Sequence, residues 1–201
     1  MTVTVVLADD EGLIRTALAT LLPLEGDIDV VAEAADGEAA YAAFVEHRPD
    51  VLVLDFEMPV LDGLEVAARV LAEHPEQRIL MLTRHARPGT LRRALKLGVR
   101  GFLGKHSSPE LIAEAIAQVH AGGRHIDPAV SAQALIDDCP LTDRELDVLR
   151  VASDGYSVTD IARKLHLAQG TVRNYLSSSI GKTHTATRPD AARSAREQGW
   201  I

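Results

Sequence analysis

The sequence is poor in sulfur. Its 201 residues include one cysteine, Cys139, which excludes an intramolecular disulfide and a metal site built from several cysteines. A cytoplasmic, reducing location is therefore expected. No apolar run approaches the roughly 18 residues of a membrane span, so no membrane partner is expected. The opening residues, MTVTVVLADD, lack the basic segment and the long apolar core of a secretory signal. Positive charge is also scarce. The formal net charge is −8, which at first argues against a nucleic-acid ligand. The shortage is local, however. Residues 1–128 carry 12 Lys and Arg against 20 Asp and Glu, whereas residues 141–201 carry nine against seven. A slightly basic module tied to an acidic one can still bind phosphate locally.

What is present alternates. Val3–Ala8, Ile28–Ala34, Val51–Asp55, Arg78–Leu82 and Arg100–Leu103 are expected strands. Helices are expected between them. The first carries Leu13, Ile14, Ala17, Leu18, Leu21 and Leu22, and others cover Glu38–Glu46, Leu64–Leu71 and Leu91–Leu97. Ser108 caps a last one over Leu111–Val119, with Pro109 in its first turn. Five βα units with short connections imply an α/β fold over residues 1–122, a five-stranded, doubly wound parallel sheet. Residues 123–140 are expected to be a linker, with a short helix near Ala129–Ile136 as its one element. From Leu141 the strand signals stop. Thr142 with Glu145, and Ser157 with Asp160, form cap patterns ahead of two helices. A third helix is expected over Gln169–Lys182, and Thr187 with Asp190 caps a fourth. Residues 141–201 are thus a small all-α, four-helix domain of helix-turn-helix type.

In a doubly wound sheet, ligands bind beyond the carboxyl ends of the strands. That rule gathers Asp9 and Asp10 after the first strand, Asp55 ending the third, Thr83 after the fourth and Lys105 after the fifth. Crowded carboxylates repel, and a hard divalent cation such as Mg2+ relieves the repulsion. Lys105 supplies a second positive charge and Thr83 a hydroxyl for an added anion. A carboxylate so held can accept a phosphoryl group. A single strand-end aspartate is usually a turn former or a cap, but all four elements at the correct strand ends are not explained that way.

On these residues the chain resembles a known family. ADD at 8–10, LDFEMPVLDG at 54–63, LT at 82–83 and GFLGK at 101–105 make residues 1–121 similar to the flavodoxin-like receiver domain of bacterial two-component response regulators. LTDRELDVL at 141–149, SVTDIARKLHL at 157–167 and TVRNYL at 171–176 resemble a LuxR-type helix-turn-helix output domain. Together they resemble the NarL/FixJ class, and GTVRNYLSS, GGRHIDP and REQGW are similar to its DesR-like branch. The resemblance implies that Asp55 takes a phosphoryl group from a sensor histidine kinase. It implies magnesium held directly by Asp10, Asp55 and the backbone carbonyl of Glu57, and through water by Asp9. Thr83 and Phe102 would respond to the phosphate, and Glu57 and His85 occupy positions where the family tunes dephosphorylation.

The third helix of the output domain would enter the major groove of promoter DNA. Gln169, Arg173, Asn174 and Ser177 share one face of it. Arg173 suits guanine and Asn174 adenine, while Lys164, Thr171 and Lys182 suit phosphates. One module makes few contacts, so a homodimer on two half-sites is expected. Leu13, Leu18, Ile112 and Ala115 on the first and fifth helices, and Ala191 and Ala195 on the last, are the expected dimer residues. Two other readings compete: a magnesium-dependent phosphatase with an aspartyl nucleophile, Glu57 being its second acid, and a regulator whose DNA binding ignores phosphorylation.

The chain departs from the family pattern in places. His106 follows Lys105 where proline is frequent, so a cis bond is not expected. Ala168 stands where a Ser or Thr cap is usual, at a cost of about 1 kcal/mol. Thr183 and His184 supply neither a core anchor nor an easy left-handed helix end. A marginally stable output domain is expected. A thermal melt of residues 141–201 alone checks this, and a high, cooperative transition would contradict it.

Overall fold

The computed structural model describes residues 2–84, 88–128, 131 and 139–201. His85 and the helix expected near Ala129–Ile136 lie largely or wholly outside these residues. The chain forms two compact units, an N-terminal α/β unit and a C-terminal helical one. Among the described residues no helix is long and apolar enough to cross a membrane.

The first unit alternates β1 (Val3–Ala8), α1 (Gly12–Glu25), β2 (Ile28–Ala34), α2 (Gly37–His47), β3 (Val51–Asp55), α3 (Gly63–Glu73), β4 (Arg78–Thr83), α4 (Pro88–Leu97), β5 (Gly101–Gly104), α5 (Pro109–His120) and β6 (His125–Ile126). All pairs are parallel, in the order β2-β1-β3-β4-β5-β6. The sixth strand corrects the expectation of five. It is two residues long and pairs Gly101 with His125 and Phe102 with Ile126, inside the segment expected to be a linker. A two-residue strand carries no alternation to detect.

β3 is buried at every position, as a strand covered on both faces requires. One face packs Leu7, Val53, Leu80, Leu82 and Leu103 against Leu18, Leu22, Ile112 and Ile116 of α1 and α5. By strand alternation Met81, Thr83 and Phe102 point to the other face, and Met81 pairs in register with Phe102. The start of α3 presses on the end of β3. A Cβ on Gly63 would lie 2.2 Å from the Asp55 carbonyl oxygen, so only glycine permits this approach. Asp62 caps the helix in a reciprocal capping box with Glu65, anchoring the loop that follows Asp55.

The second unit holds α6 (Asp143–Ser153), α7 (Val158–Lys164), α8 (Gln169–Lys182) and α9 (Arg188–Glu197). Thr142, Ser157 and Thr187 each accept a hydrogen bond from the backbone three residues on. Ala168 gives α8 no side-chain cap. His184, after α8, takes a left-handed φ of 52°. The core joins Val148, Leu149, Ile161, Val172, Leu176, Ala191 and Ala195.

Five of the six expected dimer residues belong to these cores. Leu18, Ile112, Ala115, Ala191 and Ala195 are buried, and Leu13 alone is exposed, at 86%. Apolar residues at helical spacing mark the face that packs inward, and the pattern cannot by itself mark a face left over for a partner.

Val60, in the loop after β3, holds φ at 71° with 74% of its surface exposed. A β-branched residue in that region costs about 1–2 kcal/mol, and its side chain recovers little by burial. Val60→Asn is expected to stabilise the protein by about 1 kcal/mol, since Asn tolerates this conformation. An unchanged or lower melting temperature would show that the loop carries no strain.

Candidate functional site

β1 and β3 are neighbours at the point where strand order reverses, and this brings their carboxyl ends together. One carboxylate oxygen from each of Asp9, Asp10 and Asp55 falls in a group whose members lie within 4.8 Å of one another. Asp9 and Asp55 are buried, and Asp10 is exposed. Lys105, just beyond β5, is brought in by its own backbone, whose N–H donates to the Thr83 carbonyl at 2.8 Å. Its ammonium lies 2.9 Å from Asp9 Oδ2 and 2.9 Å from Asp55 Oδ2. It also donates to Asp9 Oδ1 and to Glu11 Oε1, both at 3.0 Å.

One ammonium thus serves three carboxylates, with Asp10 beside them. Among the described residues, the Oδ2 atoms of Asp9 and Asp55 meet this ammonium and no other donor. Burial pushes the Asp55 carboxyl up to about 6, although Lys105 and the Glu57 backbone N–H pull the other way. The ionised form is therefore held at a cost that a bound cation would remove. Hard oxygen donors, excess negative charge and buried oxygens short of hydrogen-bond donors fit a small divalent cation such as magnesium.

Thr83 is buried at the end of β4, in register with Gly104. Phe102 is fully buried in β5. Glu57 follows in the β3–α3 loop and is exposed. No described peptide bond is cis. The structure thus assembles Asp9, Asp10, Asp55 and Lys105, with Thr83 on the adjacent strand end. It also adds Glu11 and Arg84, which the sequence reading passed over. Glu11 follows two acids directly before a helix, a place where it looks like an ordinary cap.

On α8, Gln169, Arg173, Asn174 and Ser177 are exposed and Thr171 is half-buried. Val172 and Leu176 turn into the core. Lys164 sets its ammonium 3.7 Å from the centre of the Tyr156 ring, yet it remains at the surface. Lys182, expected at a DNA phosphate, instead pairs with Glu145 Oε2 at 2.8 Å. The reason is that Glu145 is only 3% exposed, and a buried carboxylate needs a cation and donors. Thr142 and Ser178 supply further hydrogen bonds, and the set ties α8 to α6. Burial alone would raise the Glu145 carboxyl, but hydrogen bonds from Lys182, Ser178 and Thr142 outweigh it and bring it down to about 2.

The sequence matches the family profile of the response regulator receiver domain over residues 5–117. It matches that of the bacterial regulatory proteins, luxR family, over residues 139–195. The transcriptional regulatory protein YvfU of Bacillus subtilis (strain 168) is 40% identical over 195 residues, covering 97% of this chain and 98% of that one. The transcriptional regulatory protein DesR of the same organism is 37% identical over 199 residues, 99% of each chain. The response regulator RcsB, solved in complex with DNA, is similar at a TM-score of 0.67 and 25% identity over 96% of this chain and 99% of that one.

The Glu145 carboxyl is depressed on folding, so its stabilising contribution is complete above the unfolded value near 4.3. It is lost as pH falls toward 2. The full contribution is on the order of 3 kcal/mol. Lys182→Met is expected to lower stability at pH 7 and to flatten its fall between pH 5 and pH 2. Urea titrations across that range measure both effects. A slope equal to that of the wild type would remove Lys182 from the network.

Proposed function

The chain belongs to the response regulators, joining a receiver domain to a luxR-family regulatory domain, and we propose that a phosphoryl group on Asp55 switches its dimerisation and its binding to promoter DNA. The observation that carries this reading is the buried Asp55 carboxylate, 2.9 Å from Lys105 within a cluster of three aspartates.

A phosphohistidine of a sensor kinase is the donor. An Asp55 oxygen attacks phosphorus, the N–P bond breaks, and the histidine nitrogen keeps the electron pair and takes up a proton. Lys105 braces the transferring group from one side, and the Thr83 hydroxyl donates to a phosphoryl oxygen. Asp10, Asp55 and the Glu57 carbonyl would hold magnesium directly and Asp9 would hold it through water; when bound, the ion offsets charge on the phosphoryl oxygens. Thr83 and Phe102, on one face of neighbouring strands, would carry the change toward the surface. Hydrolysis of the aspartyl phosphate returns the protein to rest, and turnover of an external substrate is no part of this reading.

In the output domain, Gln169, Arg173, Asn174 and Ser177 read bases in the major groove, and Thr171 and Lys164 meet phosphates. The RcsB complex with DNA supports the use of this module. Lys182 is assigned to Glu145 instead. A homodimer places two such modules on two half-sites. Leu13, at 86% exposure, and Leu111, at 37%, leave apolar surface on α1 and α5, which favours that face for pairing receivers. The pairing of β6 with β5 supports a receiver that runs through Ile126, beyond residue 122, with the DNA-binding unit from residue 141. A cytoplasmic location follows from a role on the promoter.

The test compares DNA binding before and after acetyl phosphate with magnesium. The wild type is expected to bind a two-half-site promoter at least tenfold more tightly after treatment, a change of about 1.4 kcal/mol. Asp55→Asn is expected not to respond. An equal response from both proteins would take Asp55 out of the mechanism.

A further inference from the structure

Two charged side chains at the mouth of the acid cluster, Glu11 and Arg84, have no part in the reading above. Glu11 occupies the N-cap position of α1, yet its side chain makes no capping bond. Its carboxylate turns away from its own helix and joins two cations from distant strands. Glu11 Oε1 accepts from Lys105 Nζ at 3.0 Å and from Arg84 Nε at 2.9 Å. A second Arg84 nitrogen, Nη2, lies 2.5 Å from the same oxygen. Arg84 directly follows Thr83 at the end of β4.

The three side chains grade outward. Lys105 is 4% exposed, Glu11 29% and Arg84 52%. They form a line of alternating charge from the buried aspartates to solvent. Hydrogen bonds donated to Glu11, the charge of Glu11 and then the charges of Asp10 and Glu57 hold the guanidinium more firmly protonated than usual. Arg84 therefore lies in the field of the same acids that surround the phosphoacceptor. An ion pair this exposed adds little to stability, so its consequence lies in what it presents at the mouth.

We propose that Arg84 is a phosphoryl-contacting residue that selects dianionic phosphodonors, and that Glu11 holds it at the entrance until the donor arrives. This rests on the reading of Asp55 as the acceptor. Lys105 is already shared by Asp9, Asp55 and Glu11, so it cannot by itself offset both charges of an approaching dianion. Arg84 provides the second cation. The arriving phosphoryl oxygens compete with Glu11 for the guanidinium, whose planar fork can donate two charge-assisted hydrogen bonds. With acetyl phosphate, an Asp55 oxygen forms the new bond to phosphorus. The bond from phosphorus to the acetate oxygen breaks, and acetate leaves with the electron pair. Arg84 bonds the equatorial oxygens and exchanges no proton.

The discriminating measurement uses two small donors. Acetyl phosphate is a dianion near neutral pH, whereas phosphoramidate carries less negative charge. Phosphorylation of the full chain with magnesium is followed by the mass of the intact protein for wild type, Arg84→Ala, Arg84→Lys, Glu11→Gln and Asp55→Asn. In Arg84→Ala the second-order rate constant with acetyl phosphate is expected to fall about tenfold, and that with phosphoramidate far less. The ratio of the two is what a general structural defect would leave alone. Arg84→Lys should recover most of the ratio, and Glu11→Gln should raise it. Added salt should bring the wild-type ratio toward that of Arg84→Ala, because an exposed charge is screened. An unchanged ratio in Arg84→Ala, or an equal fall with both donors, would overturn the proposal. A wild type that gains no phosphoryl group, or an Asp55→Asn variant that gains one, would instead overturn the assignment of Asp55.

Discussion

The ammonium of Lys105 is the contact on which the aspartate cluster depends. It is almost fully buried and lies within 3.0 Å of oxygens from Asp9, Glu11 and Asp55. Without it, the carboxyl ends of β1 and β3 would confront two buried carboxylates with no counter-charge, and strand order alone would make that approach costly. With it, the acids remain under-neutralised, and Asp55 keeps an abnormally high affinity for a proton. That residual imbalance leaves an excess of negative charge that a small divalent cation fits. Stability and reactivity pull in opposite directions here, and the apolar core beneath the site supplies the rigidity that holds them in balance.

Much of this was legible before the fold was known. Apolar runs of four to six residues separated by helical periodicity specify βα units, and the strand-end rule then collects Asp9, Asp10, Asp55, Thr83 and Lys105 without further information. The cap patterns at Thr142, Ser157 and Thr187 located three helices of the second unit because each cap is a local interaction. Three kinds of feature escaped. β6 is too short to show a period. The Glu11–Arg84 pair joins residues 73 positions apart, and no local pattern announces such a partner. The dimer residues were drawn from the apolar stripes of their helices, and those stripes had already been claimed by the cores.

The second unit shows how a single buried acid can redefine its neighbours. Lys182 looks like a phosphate contact when α8 is drawn as an isolated helix, since it follows the exposed polar face. Glu145 changes that, because its capping-box role buries it and its burial requires Lys182 and Ser178. The same network fixes the axial position of α8 against α6, and so sets where Arg173 and Asn174 project. Ala168, which offers no side-chain acceptor at the other end of α8, leaves that positioning to the Glu145 end of the helix.

The order of the strands has a consequence for the protein during its synthesis. Asp9, Asp55 and Lys105 meet only when β1, β3 and β5 have taken their places in one sheet, and the lysine follows Asp55 by 50 residues. A nascent polypeptide emerging from the ribosome holds the acids long before it holds their counter-ion. The acid cluster is thus incomplete in any chain whose sheet has not closed.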